Sequence, residues 1–271
     1  MIVPSGKATR EKSNVTMKIL VLNPFAGEMQ EVQRCRKVAR PDTEIVFENI
    51  AASYPLNYVT YIYYRHHCAH AAVERVLRAE EEGFDAVFIS CCYDPGLIEA
   101  REVVDIPVTA AFEAGVHYVN AISHRYSVIA TEPKTVHCYR ELADLYGTSA
   151  KLASVRHIGV SASVSYPEYT SPDEIVARTL DVARTCVEQD GAEAILMGCT
   201  LQSCPLTVAG AGDVAGAPII DPVLVGFKQT EFMVELRRAG LPIVSRYGTW
   251  QTPPVDEVAR LRQGQLDPGA R

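Results

Sequence analysis

The sequence predicts an α/β protein built from two similar parallel-sheet half-domains, related by a pseudo-twofold, with the candidate active site in the cleft between them. One observation is that short apolar runs alternate with longer segments of helical periodicity, which is typical of strand–helix units that form parallel sheets. A second is that the order of these segments returns in the second half of the chain, as expected of an internal repeat. A third is that a cysteine follows the same apolar run in both halves.

The individual elements follow from the apolar pattern. In the first half, we predict strands at residues 17–22, 43–47, 86–90 and 108–111, and helices at about 59–82 and 97–104. In the second half, we predict strands at residues 127–131, 194–197 and 218–220, and helices at about 136–146 and 172–189. Strands separated by helices favour parallel pairing through crossover connections.

The repeat is clearest around two cysteines. The segment from Gly83 to Cys91 matches the segment from Gly191 to Cys199 residue for residue in spacing, at an offset of 108 positions. Glycine, acidic and aliphatic residues recur in many parallel-sheet proteins, so this match alone is partly generic. Two further landmarks keep nearly the same offset, namely the prolines at 24 and 133 and the prolines at 107 and 218. Together they favour two related half-domains.

This repeat defines the expected organisation of the chain. Residues 1–16 are polar and aperiodic, which predicts a flexible N-terminal extension. The first half-domain is expected over 17–120, with part of the C-terminal segment packing on it, and the second over 121–228. Residues 229–271 are expected to form a C-terminal helix and an irregular tail.

The composition restricts the class of partner. A net charge of −7 and a pI near 5.5 argue against nucleic acid or an anionic membrane, so we expect a small-molecule substrate. No run reaches the roughly 18 apolar residues of a membrane span, and the first residues lack a signal-peptide core, which predicts a cytoplasmic protein. The eight cysteines are expected to be reduced thiols in that compartment.

Cys91 and Cys199 are the candidate catalytic residues. Each follows a buried strand and precedes a turn into a helix, where the helix N-terminus is expected to lower a thiol pKa from about 8.5 toward neutrality. Two strand ends that face each other across a cleft would bring the sulfurs together. A carbon acid held between them would lose a proton to one sulfur and regain one from the other, which inverts the carbon. Candidate donors to the enolate oxygen are the hydroxyls of Ser90, Thr131 and Thr200.

Other conspicuous residues have simpler interpretations. His66 and His70 have the spacing of a metal-binding pair, but no glutamate lies between them, and the neighbouring tyrosines indicate a packing or homo-oligomer surface. We therefore expect no metal site. The first strand is followed by a single glycine, whereas a dinucleotide-binding loop needs three, so we also expect no cofactor. Cys92 is expected to be a thiol of the pocket wall, equivalent to Thr200. The vicinal pair Cys91-Cys92 is too short for an unstrained disulfide.

With these residues in view, the chain resembles the hydantoin and allantoin racemase branch of the aspartate/glutamate racemase superfamily over about 17–230. The resemblance rests on Asn23-Pro24, on Ile89-Ser90-Cys91-Cys92-Tyr93-Asp94-Pro95-Gly96-Leu97 with Ala100-Arg101-Glu102, on Ile122 to Ile129, on Gly191 to Cys199, and on Pro218 to Asp221. It implies that Cys91 and Cys199 are the acid/base pair. The residues that it places near the ligand, with their motif neighbours, are Asn23, Phe25, Ser90, Cys92, Thr131, Gly198 and Thr200.

The chain departs from the hydantoin type at three of these positions. Phe25 stands where Asn-Pro is commonly followed by Asn, Cys92 stands where a non-cysteine residue is usual, and Thr200 begins Thr-Leu instead of Ala-Gly. Gly-Cys-Thr is more similar to amino-acid racemases, decarboxylases and maleate isomerases of the superfamily. The first hypothesis is therefore a cofactor-independent racemase or epimerase of 5-substituted hydantoins or allantoin. The alternatives are these other reactions with the same thiols, or a non-catalytic ligand-binding or redox-sensing relative.

Overall fold

The computed structural model describes residues 17–24, 30–50, 58, 60–162 and 170–264. The predicted N-terminal extension and Phe25 lie outside these residues. Within them, no helix is long and apolar enough to cross a membrane.

The first sheet has four parallel strands in the order β2-β1-β3-β4. These strands are β1 (Met17–Asn23), β2 (Thr43–Asn49), β3 (Ala86–Ile89) and β4 (Val108–Ala110). The residues of β1 and β3 are buried almost throughout, which explains why their sequences are continuously apolar instead of alternating.

The second sheet repeats this arrangement. It contains β5 (Tyr126–Ala130), β6 (Leu152–His157), β7 (Ala194–Met197), β8 (Asp213–Val214) and β9 (Ala217–Ile220). Its order is β6-β5-β7-β9-β8, and every pair is parallel except β8 with β9. The α/β class with parallel sheets is therefore confirmed. Cys91 and Cys199 follow β3 and β7, which occupy corresponding positions in the two sheets.

Helices connect the strands. They are α1 (Gln30–Val38), α2 (Ile62–Glu81), α3 (Leu97–Val103), α4 (Ala111–Ile122), α5 (Pro133–Leu145), α6 (Pro172–Glu188), α7 (Thr200–Ala209), α8 (Pro222–Arg238) and α9 (Val255–Arg262). The sequence pattern missed α1, α4 and α9, along with strands β6 and β8, and it anticipated α7 only as a helix that follows Cys199. The tail expected to be irregular after one helix therefore contains a second helix, α9. The reason for these omissions is clearest for α4, whose residues 111–116 are all buried and continue the run of buried residues in β4 without a break.

The C-terminal helix begins earlier than the sequence indicated. The sequence predicts this helix within 229–271, but α8 begins at Pro222, where Asp221 accepts a hydrogen bond from the Val223 N–H at 2.9 Å and the proline occupies the first turn. The Phe227 ring of α8 packs edge-on against Phe88 of β3, with centroids 6.4 Å apart. The helix that follows the second sheet thus packs against the first sheet.

Gly226 permits this close contact. A β-carbon at position 226 would lie 2.4 Å from Cε2 of Phe88. We expect Gly226→Ala to lower the free energy of unfolding by about 1–3 kcal/mol, because overpacking against a buried ring outweighs the better helix propensity of alanine. Urea denaturation measures this change. Gly212→Ala, where a β-carbon meets no atom within 4 Å, is the matched control. Equal stability of the two variants would contradict the prediction.

Candidate active site

The loop that follows β3 holds Cys91 in a buried position. Asp94 adopts a left-handed backbone conformation with φ of 47°, and it turns the chain back towards α3. This turn brings the Tyr93 N–H to 3.5 Å from Sγ of Cys91, where it donates a weak hydrogen bond. Burial raises the pKa of Cys91 well above its usual value, and the Tyr93 N–H offsets only part of that effect.

Asp94 fixes this loop to α4. Its carboxyl accepts hydrogen bonds from the N–H groups of Phe112 and Glu113 at 2.9 and 2.8 Å, and from the hydroxyl of Tyr146 at 2.8 Å. The two N–H groups belong to the first turn of α4 and have no partner within the helix, so Asp94 caps it from another loop. Burial raises the pKa of Asp94 to about 7 despite these hydrogen bonds.

Cys199 occupies the N-cap position of α7, directly after β7 and Gly198. Burial raises the pKa of Cys199, while hydrogen bonds from the backbone N–H groups of Leu201 and Gln202 lower it. The expected thiol pKa values near neutrality are therefore wrong for both cysteines. The helix N-terminus acts in the predicted direction at Cys199, but removal of the sulfur from water has the larger effect.

The loops around the two cysteines touch each other. The Thr200 hydroxyl donates to the backbone carbonyl of Ser90 at 3.4 Å, and the Cys92 thiol donates to the carbonyl of Met197 at 3.7 Å. Cys199 also packs against the apolar cluster that contains Cys91. The residues on either side of the cysteines are therefore in direct contact between the two sheets.

Gly198 lies in a space that admits no side chain. A β-carbon there would be 2.9 Å from both the carbonyl oxygen of Ile129 and the ring of Tyr139. The Tyr139 hydroxyl donates to the carbonyl of Gly198, and its ring stacks on Tyr93 with centroids 5.9 Å apart. These aromatic rings connect the backbone before Cys199 to the loop after Cys91.

Glu31 is the central residue that sequence reasoning missed. Its carboxyl accepts a hydrogen bond from the Asn23 amide at 3.2 Å. Burial raises the pKa of Glu31 to about 7, while Arg34 and the hydroxyls of Ser90 and Thr200 act to lower it. Three of the candidate ligand residues therefore surround one buried carboxyl. The only signal in the sequence was an acid in a short segment that had no assigned structure.

Arg34 connects this carboxyl to α7 and α8. Its guanidinium forms an ion pair with Asp221 at 3.0 Å and donates to the backbone carbonyl of Thr200 at 2.7 Å. It also donates to the Ser203 hydroxyl at 2.8 Å. A second cation, Arg65, lies 4.8 Å from the ring centroid of Tyr93 and donates to Cys138 Sγ at 2.7 Å. Both arginines were missed, because neither lies beside a recognisable motif.

The remaining sequence candidates lie apart from this cluster. Thr131 follows β5 and is buried, and its hydroxyl is 3.4 Å from that of Thr135. It shares the sheet edge with Gly198, since β5 pairs with β7. His66 and His70 are exposed on α2. Within the described ranges, no group of three or more His, Cys, Asp or Glu side chains is arranged to hold a metal ion.

Comparison with known proteins assigns the chain to a class of racemases. The family model Asp/Glu/Hydantoin racemase matches residues 19–230, and the chain belongs to this family. A hydantoin racemase of Pseudomonas sp. (strain NS671) is 30% identical over 251 residues, covering 89% of this chain and 94% of the relative. A hydantoin racemase of Rhizobium meliloti is 30% identical over 184 residues, covering 68% of this chain and 73% of the relative.

Solved structures support the same branch. The allantoin racemase of Pseudomonas fluorescens superposes with a TM-score of 0.75 at 28% identity, covering 88% of this chain and 97% of that one. The allantoin racemase of Klebsiella pneumoniae superposes with a TM-score of 0.74 at 27% sequence identity, covering 88% of this chain and 94% of that one. The predicted relationship to the hydantoin and allantoin racemase branch is confirmed, and with it the assignment to the isomerases.

The buried Asp94 carboxyl should make stability depend on pH. Its pKa is about 7 in the folded protein and about 3.9 in an unfolded chain, so the folded state binds more protons between these values. The contribution is therefore fully present below about pH 4 and is lost as the pH rises through 7. We expect Asp94→Asn to flatten this slope by on the order of 1 kcal/mol per pH unit.

Urea denaturation at several pH values between 4 and 8 tests this expectation. Asp181→Asn, at an exposed position of α6, is the control and should leave the slope unchanged. Parallel curves for the wild type and Asp94→Asn would contradict the prediction.

Proposed function

We propose that the protein is a cofactor-independent racemase or epimerase that inverts a carbon beside a carbonyl in a 5-substituted hydantoin or allantoin. The observation that carries the proposal is the contact between the loops that hold Cys91 and Cys199. Hydrogen bonds from Thr200 to Ser90 and from Cys92 to Met197 join these loops. The curated hydantoin racemases and the allantoin racemase structures support the class of substrate.

In the proposed mechanism, one cysteine reacts as a thiolate and the other as a thiol. The thiolate takes the proton from the substrate carbon, and the electron pair of the C–H bond moves onto the carbonyl to give an enolate. The opposite thiol then protonates the other face of the carbon and is left as a thiolate. The substrate is inverted, and the two sulfurs have exchanged protonation states.

The residues around each sulfur suit these steps. Burial opposes ionisation of the thiols, so a thiolate needs hydrogen-bond donors that are already in place. Cys199 has the backbone N–H groups of Leu201 and Gln202, and Cys91 has the N–H of Tyr93. The proposed ligand-binding residues are Asn23, Phe25, Ser90, Cys92, Thr131, Gly198 and Thr200. Of these, the hydroxyls of Ser90 and Thr200 are the candidates for donating to the enolate oxygen.

One observation favours a second reaction class. Thr200 follows Cys199, and in amino-acid racemases and maleate isomerases of the superfamily a hydroxyl there helps to hold a carboxylate, as the Gly-Cys-Thr resemblance implies. In this protein the Thr200 hydroxyl faces the carbonyl of Ser90 and the carboxyl of Glu31. A neighbouring carboxyl disfavours a second carboxylate, so we place the uncharged cyclic amide first.

Further parts of the proposal concern the whole molecule. We propose the half-domain boundaries given above, a cytoplasmic location and a homo-oligomer. Exposed aromatic and aliphatic side chains at the start of α2 support the oligomer, since Ile62 and Tyr63 are 74% and 70% exposed. Light scattering on the purified protein measures the oligomeric state.

The two-thiol mechanism is tested by deuterium uptake at the substrate α-carbon in D₂O. We expect Cys91→Ser and Cys199→Ser each to lower the rate of racemisation of a 5-substituted hydantoin by at least about 100-fold, because a serine hydroxyl is a far weaker acid. The substrate panel should also include allantoin, α-amino acids and malonates.

Cys186→Ala is the matched control, since Cys186 is a buried cysteine in a separate apolar cluster. Its rate should stay within a few-fold of the wild type. Unaltered exchange in both serine variants would refute the thiol pair. Exchange on amino acids alone would favour the second reaction class, and no exchange on any compound would favour a non-catalytic relative.

A further inference from the structure

A single buried carboxyl supports three of the proposed ligand-binding residues. Glu31 lies on α1 and is 5% exposed. The Asn23 amide reaches it from the end of β1, and the hydroxyls of Ser90 and Thr200 face it from the end of β3 and the start of α7. Ser90 and Thr200 are the sequence neighbours of Cys91 and Cys199. Glu31 therefore contacts elements of both cysteine loops at once.

The charge of this region depends on Glu31. Arg34 is held by Asp221 at 3.0 Å, whereas its distance to the Glu31 carboxyl is 4.0 Å. Asp221 balances the charge of Arg34, so an ionised Glu31 leaves the group with one net negative charge. A protonated Glu31 leaves it neutral.

Among the described groups around Glu31, the one further cation is Lys37 of α1, which acts at Cys204. The titratable or charged neighbours of Glu31 among the described residues are Arg34 and Cys35 of α1, Cys199 and Cys204 at α7, and Asp221 at the start of α8. Burial raises the pKa of Glu31 to about 7, and Arg34 is the main group that opposes this shift. The net charge beside Cys199 therefore changes as the pH passes through neutrality.

We propose that Glu31 is a positioning residue that sets substrate specificity, because its ionised carboxylate makes the region beneath the cysteines negative and so disfavours ligands that carry a carboxylate. The same carboxylate accepts a hydrogen bond from the Asn23 amide and faces the Ser90 and Thr200 hydroxyls, which stay available to an uncharged cyclic amide. This inference rests on the proposed function. It extends that function by naming the residue that makes the enzyme prefer uncharged cyclic amides over substrates that carry a carboxylate.

Two hydantoins of nearly equal size provide the probe. One carries a carbamoylmethyl group at carbon 5 and the other a carboxymethyl group, so they differ by one negative charge. We expect the wild type at pH 8 to favour the amide in kcat/KM for deuterium exchange, with a smaller preference at pH 6. In Glu31→Gln, which keeps the size of the side chain and one oxygen that can accept from Asn23 but removes the charge, the preference at pH 8 should fall by about 10-fold and lose its dependence on pH.

Glu231→Gln is the matched control, because Glu231 is a buried glutamate on α8 that pairs with Lys228 away from the cysteines. Its selectivity should equal that of the wild type. Glu31→Asp, which keeps the charge, should retain the preference for the amide even if its kcat falls. A preference in Glu31→Gln within twofold of the wild type, or a preference lost equally in Glu31→Asp and Glu31→Gln, would overturn the inference.

Calorimetric titration of the same two hydantoins separates this inference from the proposed function, since binding needs no turnover. A shift of binding preference in Glu31→Gln, with no exchange in any variant, would support the role of Glu31 and refute the racemase proposal. Failure of the wild type to bind either compound would overturn the role of Glu31 as well. If Glu31→Gln does not fold, the pH dependence of the wild type decides the matter, because an equal preference at pH 6 and pH 8 would overturn the inference.

Discussion

The guanidinium of Arg34 and the carboxylate of Asp221 lie 3.0 Å apart, with side chains that are 3% and 6% exposed. This buried ion pair sets the relative positions of α1, the start of α7 and the start of α8, because Arg34 also binds the Thr200 carbonyl and Asp221 caps α8. Removing one member of a buried pair typically costs about 3–5 kcal/mol, since the other charge is left without a partner. The position of Thr200, and with it the loop of Cys199, depends on this contact.

Desolvation governs the chemistry of the site. The same loss of water raises the pKa of both cysteines and brings Glu31 and Asp94 to a pKa of about 7. Local backbone N–H groups act against it at Cys91 and Cys199 without overcoming it. Burial thus disfavours the thiolate form of both cysteines, and backbone donors oppose this effect. Burial likewise disfavours the carboxylate form of Glu31 and Asp94.

The family relationship gives the class of enzyme, whereas the residues beside the cysteines bear on its substrate. The match to the hydantoin and allantoin racemase branch gives the class of enzyme, and the relatives named above cover most of the chain. The departures at Cys92 and Thr200 concern the substrate. In the structure both side chains donate hydrogen bonds across the two cysteine loops, to the carbonyls of Met197 and Ser90, so they join these loops. Their chemistry alone therefore does not identify a carboxylate pocket.

The sequence by itself determined the α/β class with parallel sheets, because buried parallel strands form continuous apolar runs. It also predicted the cysteine pair, because both cysteines end such runs. It failed for α4, because the buried residues 111–116 continue the run of buried residues in β4 without a break, and it failed for the start of α8. Only the tertiary structure decided the thiol pKa values and the place of Glu31. Both depend on how much water is excluded and on which distant side chains converge, and neither quantity is encoded in local spacing.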